Sequence, residues 1–128
     1  DDPVVHLRGK FMMPLAEKVF KKAHGMGIKI ATGADNGYTA KTTSRISLEV
    51  AHFARMGMTN FEAIQSATVV SAELLRLDKQ TGRIATGYDA DMILVPGKPL
   101  EDINALQDVI MVMSNGHLAL KRLPFGKN

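Results

Sequence analysis

The stretch from Gly27 to Gly37, GIKIATGADNG, restricts this chain more than any other. Ile28-Lys29-Ile30-Ala31 has the alternation and β-branched content of a short buried strand, and the Gly and Asn residues that follow are turn formers. Asp35 then stands at the strand's carboxyl end between Gly33 and Gly37, where the backbone can bend sharply and a carboxylate can project from the rim of a sheet. In parallel α/β folds that rim is where ligands and catalytic groups collect.

The flanking residues agree with an α/β chain. Met12, Leu15, Val19 and Ala23 recur at spacings of three and four, which predicts an amphipathic helix over residues 11–24 that Gly25 and Gly27 end. Residues 1–10 read as a loop or a strand remnant. Beyond the polar loop 36–43, Thr42, Thr43 or Ser44 can cap a helix beginning near Arg45, with Ile46, Val50, Phe53 and Ala54 as its buried stripe and Gly57 as its stop. Thr59-Asn60-Phe61-Glu62 matches a capping box. The helix it opens has apolar residues on two faces and is expected to be buried on most sides, with a break near Val69-Val70.

After Leu77 the character changes to glycines, prolines and short β-type runs. Ala90–Val95 reads as one strand, while Val109–Met113 and His117–Leu120 flank Asn115-Gly116, a strong signal for a type I′ hairpin. Both parities of Val109–Met113 are apolar, so that strand is expected to be covered on both faces. The expected division is therefore an α/β portion, residues 1–77, and a β-rich portion, residues 78–128.

Composition narrows the chemistry. The absence of cysteine excludes disulfides and thiolate metal sites, which leaves His, Asp, Glu or carbonyl oxygen for any metal. A net charge of +3 with two Tyr and no Trp argues against nucleic-acid binding. No run approaches the roughly 20 apolar residues of a membrane helix. Asp1-Asp2-Pro3 is no signal peptide, so a soluble, by default cytoplasmic, chain is expected. The start itself reads as a processed or truncated end, with any targeting segment upstream of view.

Taken alone, Asp35 reads first as a turn residue, because Asp populates turns for local hydrogen-bonding reasons. Gly33–Gly37 lacks the spacing of a dinucleotide fingerprint and no Gly-Lys-Ser/Thr follows, which leaves a small nucleotide-binding domain as a weak alternative. His24 and His52 fall within predicted helices and His117 follows the hairpin turn, so packing or surface roles are expected for them. The same role is expected for His6, although it has the better chance of lying near a site.

The order of the pieces carries more weight than any one of them. The first helix, the strand ending in Gly-x-Asp-x-Gly, the Met58-Thr59 helix with Glu62-Ala63-Ile64 and Ala67-Thr68, and Gly82-x-Ile84-x-x-Gly87-x-x-Ala90-Asp91 closely resemble the carboxyl-terminal third of the amidohydrolase superfamily. Pro99-Leu100-Glu101-Asp102-Ile103 and Asn115-Gly116 fit the same pattern, most like the imidazolonepropionase and prolidase-like dipeptidase branch, over roughly residues 10–120. The resemblance implies the last part of a (β/α)8 TIM barrel plus a small β-sandwich. It further implies a divalent metal, usually zinc, and a catalytic and metal-touching role for Asp35. Asp91 is assigned a structural role at a strand start.

Departures from the family are informative. Its His-x-His pair, bridging Lys or Glu and further barrel histidines lie upstream of the matching region, and no His-x-His occurs here. Ala34 stands where Thr or Ser commonly precedes the Asp, and Arg76 replaces a Gly common between two leucines. The expectation is a fragment of a metal-dependent hydrolase acting on amide, peptide or cyclic amide C–N bonds, inactive alone, with a small amide or peptide as the parent's substrate. A structural or assembly module is the rival, because a lone barrel strand and uncovered helices favour self-association or pairing with the missing barrel segment. Tyr38 is the loop residue to watch beside the pocket.

Overall fold

The structure, a computed structural model, describes residues 3–35 and 45–122. The loop with Tyr38 and the candidate caps Thr42, Thr43 and Ser44 lies outside the described residues. The chain divides into two compact units, Asp1–Ile30 and Ala31–Asn128, and the composition change near residue 78 falls inside the second.

The first unit is built on α1, Pro3–Gly25. The helix begins eight residues before the predicted Phe11, so residues 3–10 are helical and not a loop or strand remnant. Val4 and Leu7 place two apolar residues three apart in this added part of the helix, and Pro14 lies within it. The predicted stop holds. Gly27 takes a left-handed φ of 74°, and the Ile28 N–H reaches back to the Ala23 carbonyl at 3.1 Å, which satisfies an otherwise orphaned helix-end acceptor. Much of the apolar surface of α1 is exposed, with Phe11 at 70% and Val19 at 67%.

The second unit carries the core. Helix α2, Ile46–Arg55, buries Val50, Ala51 and Phe53 and packs on α3, Asn60–Ser66, and on the 3-10 turn Ile103–Gln107. Met56, Met58, Ala63 and Ile103 complete that core, where full burial of a residue such as Phe53 is worth about 1.5–3 kcal/mol. Gly57, at φ 118°, closes α2 as predicted, with the Met58 N–H on the Phe53 carbonyl. The capping box also forms as predicted: the Glu62 N–H donates to Thr59 Oγ1 at 3.2 Å, and the Thr59 N–H donates to Glu62 Oε2 at 2.7 Å.

The expected break comes at Ala67-Thr68, after which α4 runs from Val69 to Leu74. Thr68 and Ser71 turn their hydroxyls onto the Ile64 and Ser66 carbonyls, so side chains satisfy acceptors that the interrupted helix frees. Arg76 closes α4 at φ 61°, with the Leu77 N–H on the Ala72 carbonyl at 2.8 Å. That left-handed closure is the reason a Gly suits the position.

Strands β1, Met92–Leu94, β2, Met111–Ser114, and β3, His117–Lys121, form an antiparallel sheet in the order β1-β2-β3. Asn115 and Gly116 are both left-handed, at φ 47° and 76°, as a type I′ turn requires. The β2–β3 register is irregular at Val112/Met113, where β3 carries Ala119 as an extra residue. Met111–Met113 are half-buried, so the cover expected on both faces of this strand is incomplete.

One expectation fails at the feature that first defined the chain. Residues 28–31 belong to no strand, and the described sheet contains only β1–β3. A barrel strand exists through hydrogen bonds to its two neighbours, and no described segment of this chain lies beside it as a strand.

Candidate functional site

Asp35 is exposed and adopts φ 44°. This left-handed conformation costs an ordinary residue energy, although Asp tolerates it better than most. The segment leading to it is tied down within the second unit. The Thr32 N–H donates to the Ser66 carbonyl at 3.1 Å, at the end of α3. The Gly33 N–H donates to Glu49 Oε2 on α2 at 2.9 Å. Ser66 is itself buried, and its carbonyl also accepts the Ser71 hydroxyl at 2.6 Å.

The first turn of α2 is anchored from the far side of the sequence. Gln107 receives the Ser47 hydroxyl on Oε1 at 3.1 Å and donates Nε2 to the Ser47 carbonyl at 2.8 Å, while Arg45 reaches the Gln107 carbonyl at 3.3 Å. Glu49, Gln107 and Ser66 were not singled out by sequence reading. Their contacts span 16, 60 and 34 residues, and no local pattern encodes such pairings.

His6 is exposed on α1, His24 stacks on Phe20 with ring centroids 6.4 Å apart, His52 lies 3.2 Å from Arg55, and His117 is exposed on β3. Among the described residues no group of three His, Cys, Asp or Glu could hold a metal ion. A catalytic zinc needs three protein ligands, so the described residues do not by themselves fit one.

Asp91 behaves as the structural residue that was expected. Its Oδ1 accepts the Asn115 N–H at 2.8 Å and its Oδ2 accepts the Thr81 hydroxyl at 3.0 Å, so it ties the start of β1 to the hairpin turn. Chiefly the Asn115 N–H, then Thr81, holds its carboxyl below the ordinary value of 3.8. A glycine stands at position 82 for a physical reason: at φ 94°, a Cβ there would come 2.8 Å from the Ala72 Cβ and 3.2 Å from the Thr68 carbonyl oxygen. Tyr88 closes the same loop by donating to the Asp78 carbonyl at 2.9 Å, under the Arg83 guanidinium. No helix among the described residues is long and apolar enough to cross a membrane.

Comparison with known proteins gives a consistent result. The model of the amidohydrolase family matches residues 17–119. Ochratoxinase of Aspergillus niger is 35% identical over 94 residues, which cover 71% of this chain and 18% of that protein. A crystal structure of a Xaa-Pro dipeptidase with methionine bound in its active site superposes with a TM-score of 0.75 at 39% identity, covering 84% of this chain and 26% of that one. The crystal structure of A. niger ochratoxinase gives a TM-score of 0.70 at 32% identity, covering 88% and 26%. The chain thus spans about a fifth of the curated relatives it matches and about a quarter of the solved structures. It carries an α/β part of the family's barrel fold together with a small sheet.

Proposed function

The chain belongs to the amidohydrolase family, and we propose on that premise that it is the carboxyl-terminal part of an enzyme that hydrolyses the C–N bond of a small peptide or amide. The observation that carries this reading is the family match over residues 17–119, which includes the pinned segment 31–35 and Asp35. Residues 1–77 are read as the last barrel helices and strand, and residues 78–128 as the β-sandwich segment. The likeness to a Xaa-Pro dipeptidase and to ochratoxinase favours dipeptides, Xaa-Pro first, over cyclic imidazolones as substrates.

Asp35 is the residue this chain contributes to catalysis. A carboxylate held at a pocket rim can take the proton of the attacking water and return it to the departing amine, which would otherwise leave as an unstable anion. Family members generally use a divalent metal, and we take zinc as its identity here. Since the described residues include no ligand set, the remaining ligands belong to the rest of the parent protein. The exposed apolar faces, such as Phe11, Val19 and Ile84 at 82%, are read as surfaces that this missing part covers, and as the cause of self-association when the chain is alone.

The test compares the isolated 128-residue chain with the full-length protein for metal content and for hydrolysis of Xaa-Pro dipeptides. Full-length protein is expected to turn over and the isolated chain to show neither turnover nor stoichiometric zinc. Turnover by the isolated chain overturns the inactive-part reading, and a full-length protein inert on dipeptides and N-acyl amino acids overturns the hydrolase reading.

A further inference from the structure

Glu49 sits in the first turn of α2, and its Oε2 accepts the backbone N–H of Gly33 at 2.9 Å. A carboxylate accepting from a backbone amide makes a charge-assisted bond, stronger than the neighbouring amide–carbonyl bond from Thr32 to Ser66. Together they attach two consecutive backbone N–H groups to two different helices. Asp35 follows two residues later at φ 44°, a left-handed conformation whose cost, modest for an Asp, a held backbone offsets. Gln107 fixes the carbonyl and hydroxyl of Ser47 in the same helical turn, so Glu49 is presented from a braced position.

We propose that Glu49 is a positioning residue: by fixing the Gly33 amide, its carboxylate sets the direction in which Asp35 leaves the backbone. This rests on the reading of Asp35 as the catalytic carboxylate. The plain rival is that Glu49 serves only as a negative charge near a helix N-terminus. The two roles demand different chemistry. A favourable charge survives in Glu49→Asp and is lost in Glu49→Gln, whereas an acceptor at the right reach survives in Glu49→Gln and is lost in the shorter Glu49→Asp.

The experiment uses the full-length protein with Glu49→Ala, Glu49→Asp, Glu49→Gln and Asp35→Asn. It measures steady-state hydrolysis of a Xaa-Pro dipeptide and amide hydrogen exchange, by mass spectrometry, of the peptide containing residues 31–35. Glu49→Ala and Glu49→Asp are expected to lower kcat about 10- to 100-fold with little change in KM, and to speed exchange in that peptide, since small misplacements of a reacting group are costly. Glu49→Gln is expected to move both measurements back toward wild type, falling short by the lost charge assistance. Faster exchange with unchanged kcat in Glu49→Ala makes the contact a structural tie and overturns the proposal, as does a Glu49→Gln variant as slow as Glu49→Ala. Wild-type turnover by Asp35→Asn overturns the underlying reading of Asp35, and the positioning role with it, while the exchange data still report whether the Glu49–Gly33 bond forms.

Discussion

Asp91 and Asp35 are both exposed carboxylates outside the helices, but the fold treats them differently. Asp91 uses both oxygens on groups that hold the molecule together, the Asn115 amide and the Thr81 hydroxyl. Asp35 is exposed, and what the fold ties down is the backbone before it, through Thr32 and Gly33. A carboxylate whose acceptors are spent on the scaffold contributes to stability. On the proposed reading, one carried on a pinned backbone keeps its side chain for a ligand or a proton.

The largest effect should come from exchanging the two in turn. In the full-length protein, Asp35→Asn is expected to lower turnover by about 10²- to 10⁴-fold with the melting temperature nearly unchanged, as befits loss of a general acid–base group. Asp91→Ala should lower the melting temperature and leave turnover of the folded enzyme near wild type. Kinetics and thermal melting of both variants measure the contrast, and it breaks if Asp91→Ala is the variant that loses turnover while still folded.

Next comes the loop that delivers Asp91. Gly82→Ala combines a φ of 94° with a Cβ only 2.8 Å from the Ala72 Cβ, so a loss of about 2–3 kcal/mol is expected in denaturant melts. If stability is unchanged, the close approach of this loop to α4 is not part of the scaffold. Arg76→Gly at φ 61° tests the same region in the opposite direction, with an expected gain of about 0.5–1 kcal/mol as the left-handed cost is relieved.

The smallest effect is the pH dependence of the Asp91 tie. Its folded pKa is depressed below 3.8, so its contribution is fully present above that value and is lost as pH falls through the lower folded pKa. Melting of wild type and Asp91→Asn from about pH 5 downward should therefore show a gap that closes on acidification. A gap that widens instead would contradict the lowered pKa.

What could be read from the sequence follows the range of each interaction. The Thr59–Glu62 capping box, the Gly57 stop and the Asn115-Gly116 turn each close within a few residues, and all three formed as expected. The start of α1 was misplaced because residues 1–10 show little apolar periodicity, and the pairing Asp2-Pro3, which suits a helix start, was read only as a chain end. The strand expected at 28–31 did not form because its pattern describes a residue run suited to a sheet but not the neighbours that make one.

The sequence by itself determined the family, the order of the helices and the hairpin, and the candidate Asp35, because motif order and turn chemistry are written in short stretches. Only the tertiary structure decided how Asp35 is supported and what Asp91 and Gly82 are for. Those answers depend on the meetings of Gly33 with Glu49, Ser47 with Gln107, and Gly82 with Ala72. The first two pairs lie far apart in the chain, and all three depend on how helices and loops pack, which residue patterns do not specify.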